Sequence, residues 1–263
     1  MSDLTFLKLG GSLLTDKTER EALRADVLAR LAAEIAAARR ANPDLKLLLG
    51  HGSGSFGHTA AARHGTRSGV TGPEQWYGFA DVSDAAARLN RAVIAALLAA
   101  GVPAVGLPPS ASAVVADCTI RELAVAPIQA ALAAGLLPVV FGDVAFDTVR
   151  GGTIISTEEI MDYLALEMRP ARLLLAGETP GVLDAAGQLV PLINRANYEA
   201  LRPALGGSRG ADVTGGMASK VVAMLDLAEK IPGLTIHIFS GLERGMLERL
   251  LIDSFLPAGT RIS

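Results

Sequence analysis

The sequence predicts an α/β fold, a three-layer αβα sandwich around a mainly parallel central sheet, and three observations carry that expectation. Short β-type runs alternate with longer helical ones along all 263 residues, the pattern of a sheet with helices on both faces. Apolar residues make up 50% of the chain, enough for the core of one large domain or of two small lobes that share a sheet. Glycine-rich turns follow several strand-like runs, where open α/β sheets place their ligands.

Leu4 to Leu9 reads as the first strand, Glu21 to Arg40 as an amphipathic helix with Leu23, Val27, Leu28, Leu31 and Ile35 on one face, and Leu45 to Leu49 as the next strand. A β-α-β unit therefore opens the fold. Gly50 to Gly57 is a glycine-rich loop, followed by a polar, Gly- and Pro-bearing stretch to Gly78 and a helix from about Asp81 to Ala100. Strands recur at Val102 to Gly106 and Leu136 to Phe141. Phe146 to Ile155 carries Arg150-Gly151-Gly152 between apolar flanks and reads as a hairpin, with a helix from Glu158 to Met168 behind it. In the second half, Ala171 to Ala176 and Leu234 to Phe239 are buried-type strands, Asp212 to Gly216 is a glycine loop, and Ala218 to Lys230 and Glu243 to Ile252 are helices. Neither a low-complexity linker nor an internal repeat interrupts the chain, so residues 1–263 are expected to form one domain. Its two lobes, 1–169 and 170–263, are expected to share a continuous sheet with a cleft at the strand carboxyl ends.

A net charge of −3 and the lack of any Lys/Arg run give no electrostatic footprint for nucleic acid. The single Cys118 rules out an internal disulfide, and the amino terminus runs from Asp3 into a strand without a basic or long apolar leader, so a cytoplasmic protein is expected. The longest apolar runs, such as Ala92 to Gly101, are alanine-rich, interrupted on either side by Arg91 and Pro103, and too short to span a bilayer.

Three of the five lysines, Lys8, Lys17 and Lys220, lie in or beside glycine-rich motifs at opposite ends of the chain. A transferring phosphoryl group needs fixed positive charge and bare backbone amides around it, and these motifs supply both residue types. Lys8-Leu9-Gly10-Gly11-Ser12 leaves the first strand, and paired glycines let a backbone approach an anion closely; Thr15-Asp16-Lys17 follows. Taken alone this is equally a plain glycine turn with solvated lysines.

The second motif, Gly50-His51-Gly52-Ser53-Gly54-Ser55-Phe56-Gly57-His58, contains GxGxxG and has Glu74 downstream, so a dinucleotide fold has to be weighed. That fold needs a helix and a second strand ending at the acid, whereas Arg63 to Glu74 is polar and broken by Gly65, Gly69, Gly72 and Pro73. The loop still suits an anion, with His58 placed to donate a hydrogen bond to it; His64 and His237 read as structural.

In the third motif, Asp212-Val213-Thr214-Gly215-Gly216-Met217-Ala218-Ser219-Lys220, a Thr-Gly-Gly turn opens a helix whose dipole and amides favour an anion. An ordinary helix capped by Thr214 is the plain alternative. No Walker sequence occurs, which excludes a P-loop kinase.

Together these loops resemble the amino acid kinase superfamily over nearly the full length, and within it the isopentenyl phosphate kinases. The resemblance rests on Lys8 to Ser12 with Thr15-Asp16-Lys17, Gly54 to His58, Gly78-Phe79-Ala80 leading to Leu89-Asn90, Pro109-Ser110-Ala111, Gly142-Asp143-Val144, Ile155-Ser156, and Thr214 to Met217 with Lys220. His58 discriminates most, because kinases of the superfamily that phosphorylate carboxylates typically lack a histidine there, whereas isopentenyl phosphate kinases and the related fosfomycin kinases have it.

The resemblance implies transfer of the ATP γ-phosphoryl to isopentenyl phosphate in the isoprenoid (mevalonate) route, with Mg²⁺ carried on the nucleotide and a homodimeric assembly. It implies that Lys8, Lys17 and Lys220 offset charge, that Glu158 orients the lysines, and that Gly54, His58, Asp143 and Thr157 hold the acceptor. Lys8, Gly10, Gly11, Ser12, Ser55, Glu178, Thr179, Gly181, Thr214, Gly215, Gly216 and Lys220 would then hold ATP. Residues 1–169 become the acceptor-binding lobe and 170–263 the nucleotide-binding lobe. No dedicated protein metal ligands are expected.

Departures from the family pattern stand out at three places. Thr157-Glu158 replaces the usual Gly-Asp after Ser156; Gly177-Glu178-Thr179-Pro180-Gly181 replaces Thr-Asp-Val-Asp-Gly; and Ser53 replaces a common glycine. A kinase of the same fold for another small phosphate or phosphonate, such as fosfomycin, is the alternative enzyme. Trp76, Tyr77, Phe79 and Val82 would tell the two apart if they line a hydrophobic tail pocket, and ordinary helix packing is the plain account of that cluster. A non-catalytic fold-mate that binds nucleotide or oxyanions is the alternative from another class.

Overall fold

A computed structural model describes residues 4–16, 18–205 and 216–263, apart from the side chains of residues 204, 205, 216 and 217. In chain order the elements are β1 (Leu4–Leu9), α1 (Gly11–Leu14), β2 (Thr15–Asp16), β3 (Ala22–Leu23), α2 (Ala25–Ala41), β4 (Lys46–His51), α3 (Gly54–His64) and α4 (Pro73–Ala99). Next come β5 (Ala104–Gly106), β6 (Val114–Ala116), β7 (Thr119–Glu122), α5 (Ala126–Ala133), β8 (Leu137–Phe141), β9 (Asp143–Asp147), β10 (Gly151–Ile155), α6 (Thr157–Met168) and β11 (Arg172–Gly177). The chain closes with β12 (Leu192–Ile193), α7 (Arg195–Leu205), α8 (Gly216–Lys230), β13 (Thr235–Ser240), α9 (Met246–Ile252) and β14 (Thr260–Ile262).

The main sheet has eight strands in the order β12-β14-β13-β11-β1-β4-β8-β5. Six of them are parallel, while β14 runs antiparallel to β13 and carries β12 with it. Because β1 lies between β11 and β4, the sheet continues from one half of the chain into the other, and both faces are covered. One face packs Phe6, Leu48 and Leu173 against Ile160, Leu164, Val221 and Leu225 of α6 and α8. The other packs Leu7, Leu49 and Leu174 against Leu31, Ile35 and Leu247 of α2 and α9. Such two-sided burial explains why these strands are almost continuously apolar.

A second sheet, β10-β9-β6-β7, stands apart from the first. It closes a smaller core in which Val144 meets Ala60 of α3 and Phe79, Val82 and Ala85 of α4. The Arg150-Gly151-Gly152 hairpin appears as predicted, while β6 and β7 were not foreseen.

Three helix starts differ from the sequence expectation. The glycine-rich stretch is a loop only as far as Ser53, since Gly54 begins an 11-residue helix that ends at Gly65, which has a φ of 62°. No strand follows α3 before Glu74, so the dinucleotide reading fails on its missing strand; the helix that it needs is present. Helix α4 starts at Pro73 because Gly72 caps it, Pro73 fits the first turn, and Gln75 Oε1 accepts from the amides of Thr71 and Gly72. Helix α2 starts later than expected, because Ala22 and Leu23 pair with Asp16 and Thr15 in a small antiparallel strap.

Candidate active site

Parallel pairing brings the carboxyl ends of β1, β4, β8, β11 and β13 to one edge of the sheet, with Leu9 beside His51 and Ala176, and Gly177 beside Ser240. The first two glycine loops leave from neighbouring strands there and touch. A Cβ on Gly11 would lie 2.6 Å from the Gly54 amide nitrogen, and Gly54 itself has a φ of 51° with Thr15 Oγ1 in the way of any side chain. Only glycine satisfies both the close approach and the left-handed backbone. Thr15 pins the contact by donating to the Gly11 carbonyl at 2.8 Å and accepting from the Ser55 amide at 2.9 Å.

Lys8 reaches the site by strand alternation. Leu7 and Leu9 face α2 and α9, so Lys8, between them, faces the layer of α6 and α8. Its side chain is 15% exposed, and Nζ donates to Glu158 Oε1 at 2.5 Å. Glu158 stands in the first turn of α6, whose start is fixed by reciprocal bonds between Ser156 and Glu159. Burial pushes the Glu158 carboxyl up, but the Lys8 ammonium and its hydrogen bond, helped by Lys220 on α8, leave it below the ordinary glutamate range. Glu158 is therefore ionised at neutral pH, bonded to Lys8 and within electrostatic reach of Lys220, two cations from opposite ends of the chain.

His58 is exposed on α3, one helical turn beyond Gly54. Thr157 is buried, and its hydroxyl donates to the His51 carbonyl at 2.6 Å. It has no positive φ, so threonine in place of glycine imposes no backbone strain there. Ser53 is likewise in an ordinary right-handed conformation. Ser12 is half-buried in α1, Thr179 is exposed in a bend after β11, and a side chain on Gly181 would meet Thr260.

Several residues expected to meet ligand are turned to internal work. The Gly10 amide donates to the Ala176 carbonyl at 2.8 Å, and the Ser55 hydroxyl accepts from the Ala22 amide at 3.2 Å. Asp143 is 2% exposed and accepts from Ser83, Ser110 and its neighbour Val144; burial pushes its carboxyl up. It ties α4, the 109–111 turn and β9 together. The Glu178 carboxylate pairs with Arg24 at 2.8 Å. Tyr77 points outward at 73% exposure, whereas Phe79 and Val82 are buried, and the Trp76, Phe79 and Phe146 rings sit within 6.0 Å of one another. Lys17, Thr214 and Gly215 lie outside the described residues, and Gly216 begins α8.

Sequence reading missed the support beneath the second loop. His51 is fully buried, stacks on Phe141, and contacts the Gly52 carbonyl and Asn90 Oδ1 through its two ring nitrogens. Burial lowers its pKa, which keeps the ring neutral. Asn90 was visible in the motif pattern, but nothing in the local sequence joined it to His51.

The amino acid kinase family model matches residues 3–240. The isopentenyl phosphate kinase of Methanothermobacter thermautotrophicus is 34% identical, with 99% of each chain covered. That of Haloferax volcanii is 39% identical over 90% of this chain and 91% of its own. Among solved structures, an isopentenyl phosphate kinase superposes with a TM-score of 0.82 at 30% identity, covering 99% of this chain and 100% of the other. An N-acetylglutamate synthase from Neisseria gonorrhoeae, 17% identical with a TM-score of 0.71, shares the fold over 99% of this chain and 61% of its own. With such agreement over almost the whole of both sequences, this protein belongs to the amino acid kinase family, on its isopentenyl phosphate kinase branch.

Proposed function

We propose that this protein transfers the γ-phosphoryl group of ATP to isopentenyl phosphate, giving isopentenyl diphosphate and ADP. The observation that carries the reading is the Lys8–Glu158–Lys220 group beside the carboxyl edge of the sheet. A phosphate monoester has its second pKa near about 6, so at neutral pH the attacking oxygen is already anionic and needs no strong base. The barrier is the repulsion between two polyanions and their alignment, which fixed cations and amides reduce.

In this reading Lys8 and Lys220, with Lys17, offset charge on the transferring group, and Glu158 keeps the Lys8 ammonium aligned. As the acceptor oxygen forms its bond to the γ-phosphorus, the bond to the β-phosphate oxygen breaks and its electron pair leaves with ADP. His58 holds the acceptor phosphate by a hydrogen bond, with Gly54 and the Thr157 amide beside it. Gly11, Ser12, the 178–181 bend and the Thr214-Gly215-Gly216 turn line the nucleotide side, so residues 1–169 act as the acceptor lobe and 170–263 as the nucleotide lobe. Among the described residues no group of three or more His, Cys, Asp or Glu side chains could hold a metal ion. Mg²⁺ is taken to enter on the nucleotide and to supply charge neutralisation between its phosphates. A cytoplasmic homodimer completes the reading.

Phe79, Val82, Val70 and Val144 pack as a buried core beside α3, so helix packing accounts for them, and the preference for isopentenyl phosphate over a compact phosphonate rests on the isopentenyl phosphate kinases that this chain resembles. The test is ADP release from Mg·ATP with a panel of isopentenyl phosphate, dimethylallyl phosphate, fosfomycin, N-acetylglutamate and UMP. Turnover highest with isopentenyl phosphate supports the reading. Turnover confined to fosfomycin, N-acetylglutamate or UMP overturns it.

A further inference from the structure

The strap formed by β2 and β3 is fastened both to α4 and to the end of β11. At its root the Arg24 amide donates to the Leu14 carbonyl at 2.8 Å, and Ala22 is held by Ser55 of α3. Glu21 has a φ of 53°, a conformation that a glutamate seldom adopts, and its carboxylate receives Arg88 of α4 through Nε at 3.2 Å and Nη2 at 2.8 Å. Three residues on, Arg24 Nη1 donates to Glu178 Oε1 at 2.8 Å across 154 positions of sequence. Glu178 directly follows β11, and its carbonyl accepts from Ser240 at the end of β13. Residues 21–24 are thus tied to α4 on the acceptor side and to the β11–β13 edge on the nucleotide side.

Arg24 and Glu178 are 31% and 38% exposed. Ion pairs so open to water contribute little to stability, and a pair of long side chains loses rotamer freedom in forming. What this pair does set is the distance between the strap and the strand edge. We propose that Arg24, acting through Glu178, is a positioning residue for phosphoryl transfer: the pair holds the strap at a fixed height over the edge where donor and acceptor meet. Misplacement of reacting groups by an ångström is costly to rate even where binding survives. The inference rests on the kinase reading above, and it gives Glu178 a partner in the protein instead of in the nucleotide.

The test uses the full chain and the variants Arg24→Ala, Glu178→Ala, the double Ala variant and Arg24→Lys, each measured for kcat, both KM values, Tm and amide hydrogen exchange of residues 15–24. Arg24→Ala is expected to lower kcat about tenfold, with both KM values changed less than about threefold. Its Tm stays close to that of the parent, and the strap amides exchange faster. Glu178→Ala gives the same loss, and the double variant is no slower than either single one, because both remove one interaction. Arg24→Lys keeps most of the rate, since only one guanidinium nitrogen is used. Losses that multiply in the double variant, a kcat unchanged in Arg24→Ala, or a rate loss without faster strap exchange would each overturn the proposal. If the parent enzyme gives no turnover with isopentenyl phosphate, the kinase reading fails instead; strap exchange unaltered in Arg24→Ala then still overturns the tie.

Discussion

Glu158 and Asp162 lie one turn apart on α6, and their surroundings push them in opposite directions. Glu158 gains two cations and is held ionised. Asp162 gains burial and two carboxylate neighbours, Glu158 and Glu159, which outweigh Lys230 and Lys8 and push its carboxyl up to about 6. A raised carboxyl pKa means that the folded state binds the extra proton between the unfolded value and about 6, so stability falls as pH rises through that window. Asp162→Asn is therefore expected to raise Tm at pH 7–8, with the gain disappearing by about pH 4; a gain of equal size at all pH values would contradict this. Glu158→Gln removes the partner of Lys8, and kcat is expected to fall about 10–100-fold with a smaller change in either KM. Steady-state kinetics check it, and a pure KM effect would argue that the pair serves binding alone. His58 is assigned as a hydrogen-bond donor, so His58→Ala should impair turnover far more than His58→Gln; equal loss in both would argue against that role.

Among the elements, the second sheet depends on one carboxylate. Asp147 Oδ1 accepts from the amides of Asp117, Val149 and Arg150, and Oδ2 from that of Cys118, at 2.8–3.0 Å. Asp117 and Cys118 both have positive φ, 50° and 61°, in the two-residue turn between β6 and β7, without the glycine that such a turn favours. Burial opposes ionisation of Asp147, but the four amides outweigh it and pull the carboxyl down to about 2. A depressed pKa contributes stability above the unfolded value and loses it as pH falls toward 2. Asp147→Asn is expected to cost about 1–3 kcal/mol at pH 7 in urea unfolding, and the difference from the parent should shrink below pH 4.

This arrangement also shows where sequence reading ran out. Strands with continuous apolar runs, such as Leu47 to Leu49, and helices with a capping signal, such as Ser156 to Glu159, were legible because local physics fixes them. Helix α3 was hidden because Gly54 and Gly57 are poor helix formers, kept by packing: a side chain on Gly57 would strike Ser53. Asp147 under the 117–118 turn, and Arg24 against Glu178, are pairings over 30 and 154 positions that no local pattern announces.

Across the whole molecule, the sheet order brings the first two glycine motifs, distant in sequence, to one edge of the sheet. Because β1 pairs with both β4 and β11, Lys8 lies beside the origin of the second glycine loop and on the face covered by α6 and α8. The motif lysines and glycines could be recognised as phosphate chemistry from residue type, but their supports could not. Glycines expected to bare amides to ligand turned out partly to allow two loops to touch, and Asp143 and Ser55 proved to be internal ties. The most direct test of the whole account is the single-turnover rate of γ-phosphoryl transfer from Mg·ATP to isopentenyl phosphate in the parent and in Lys8→Met, at saturating substrates. The account predicts isopentenyl diphosphate from the parent and a rate at least about 100-fold lower in the variant, with the fold intact. Equal rates in the two proteins would contradict it.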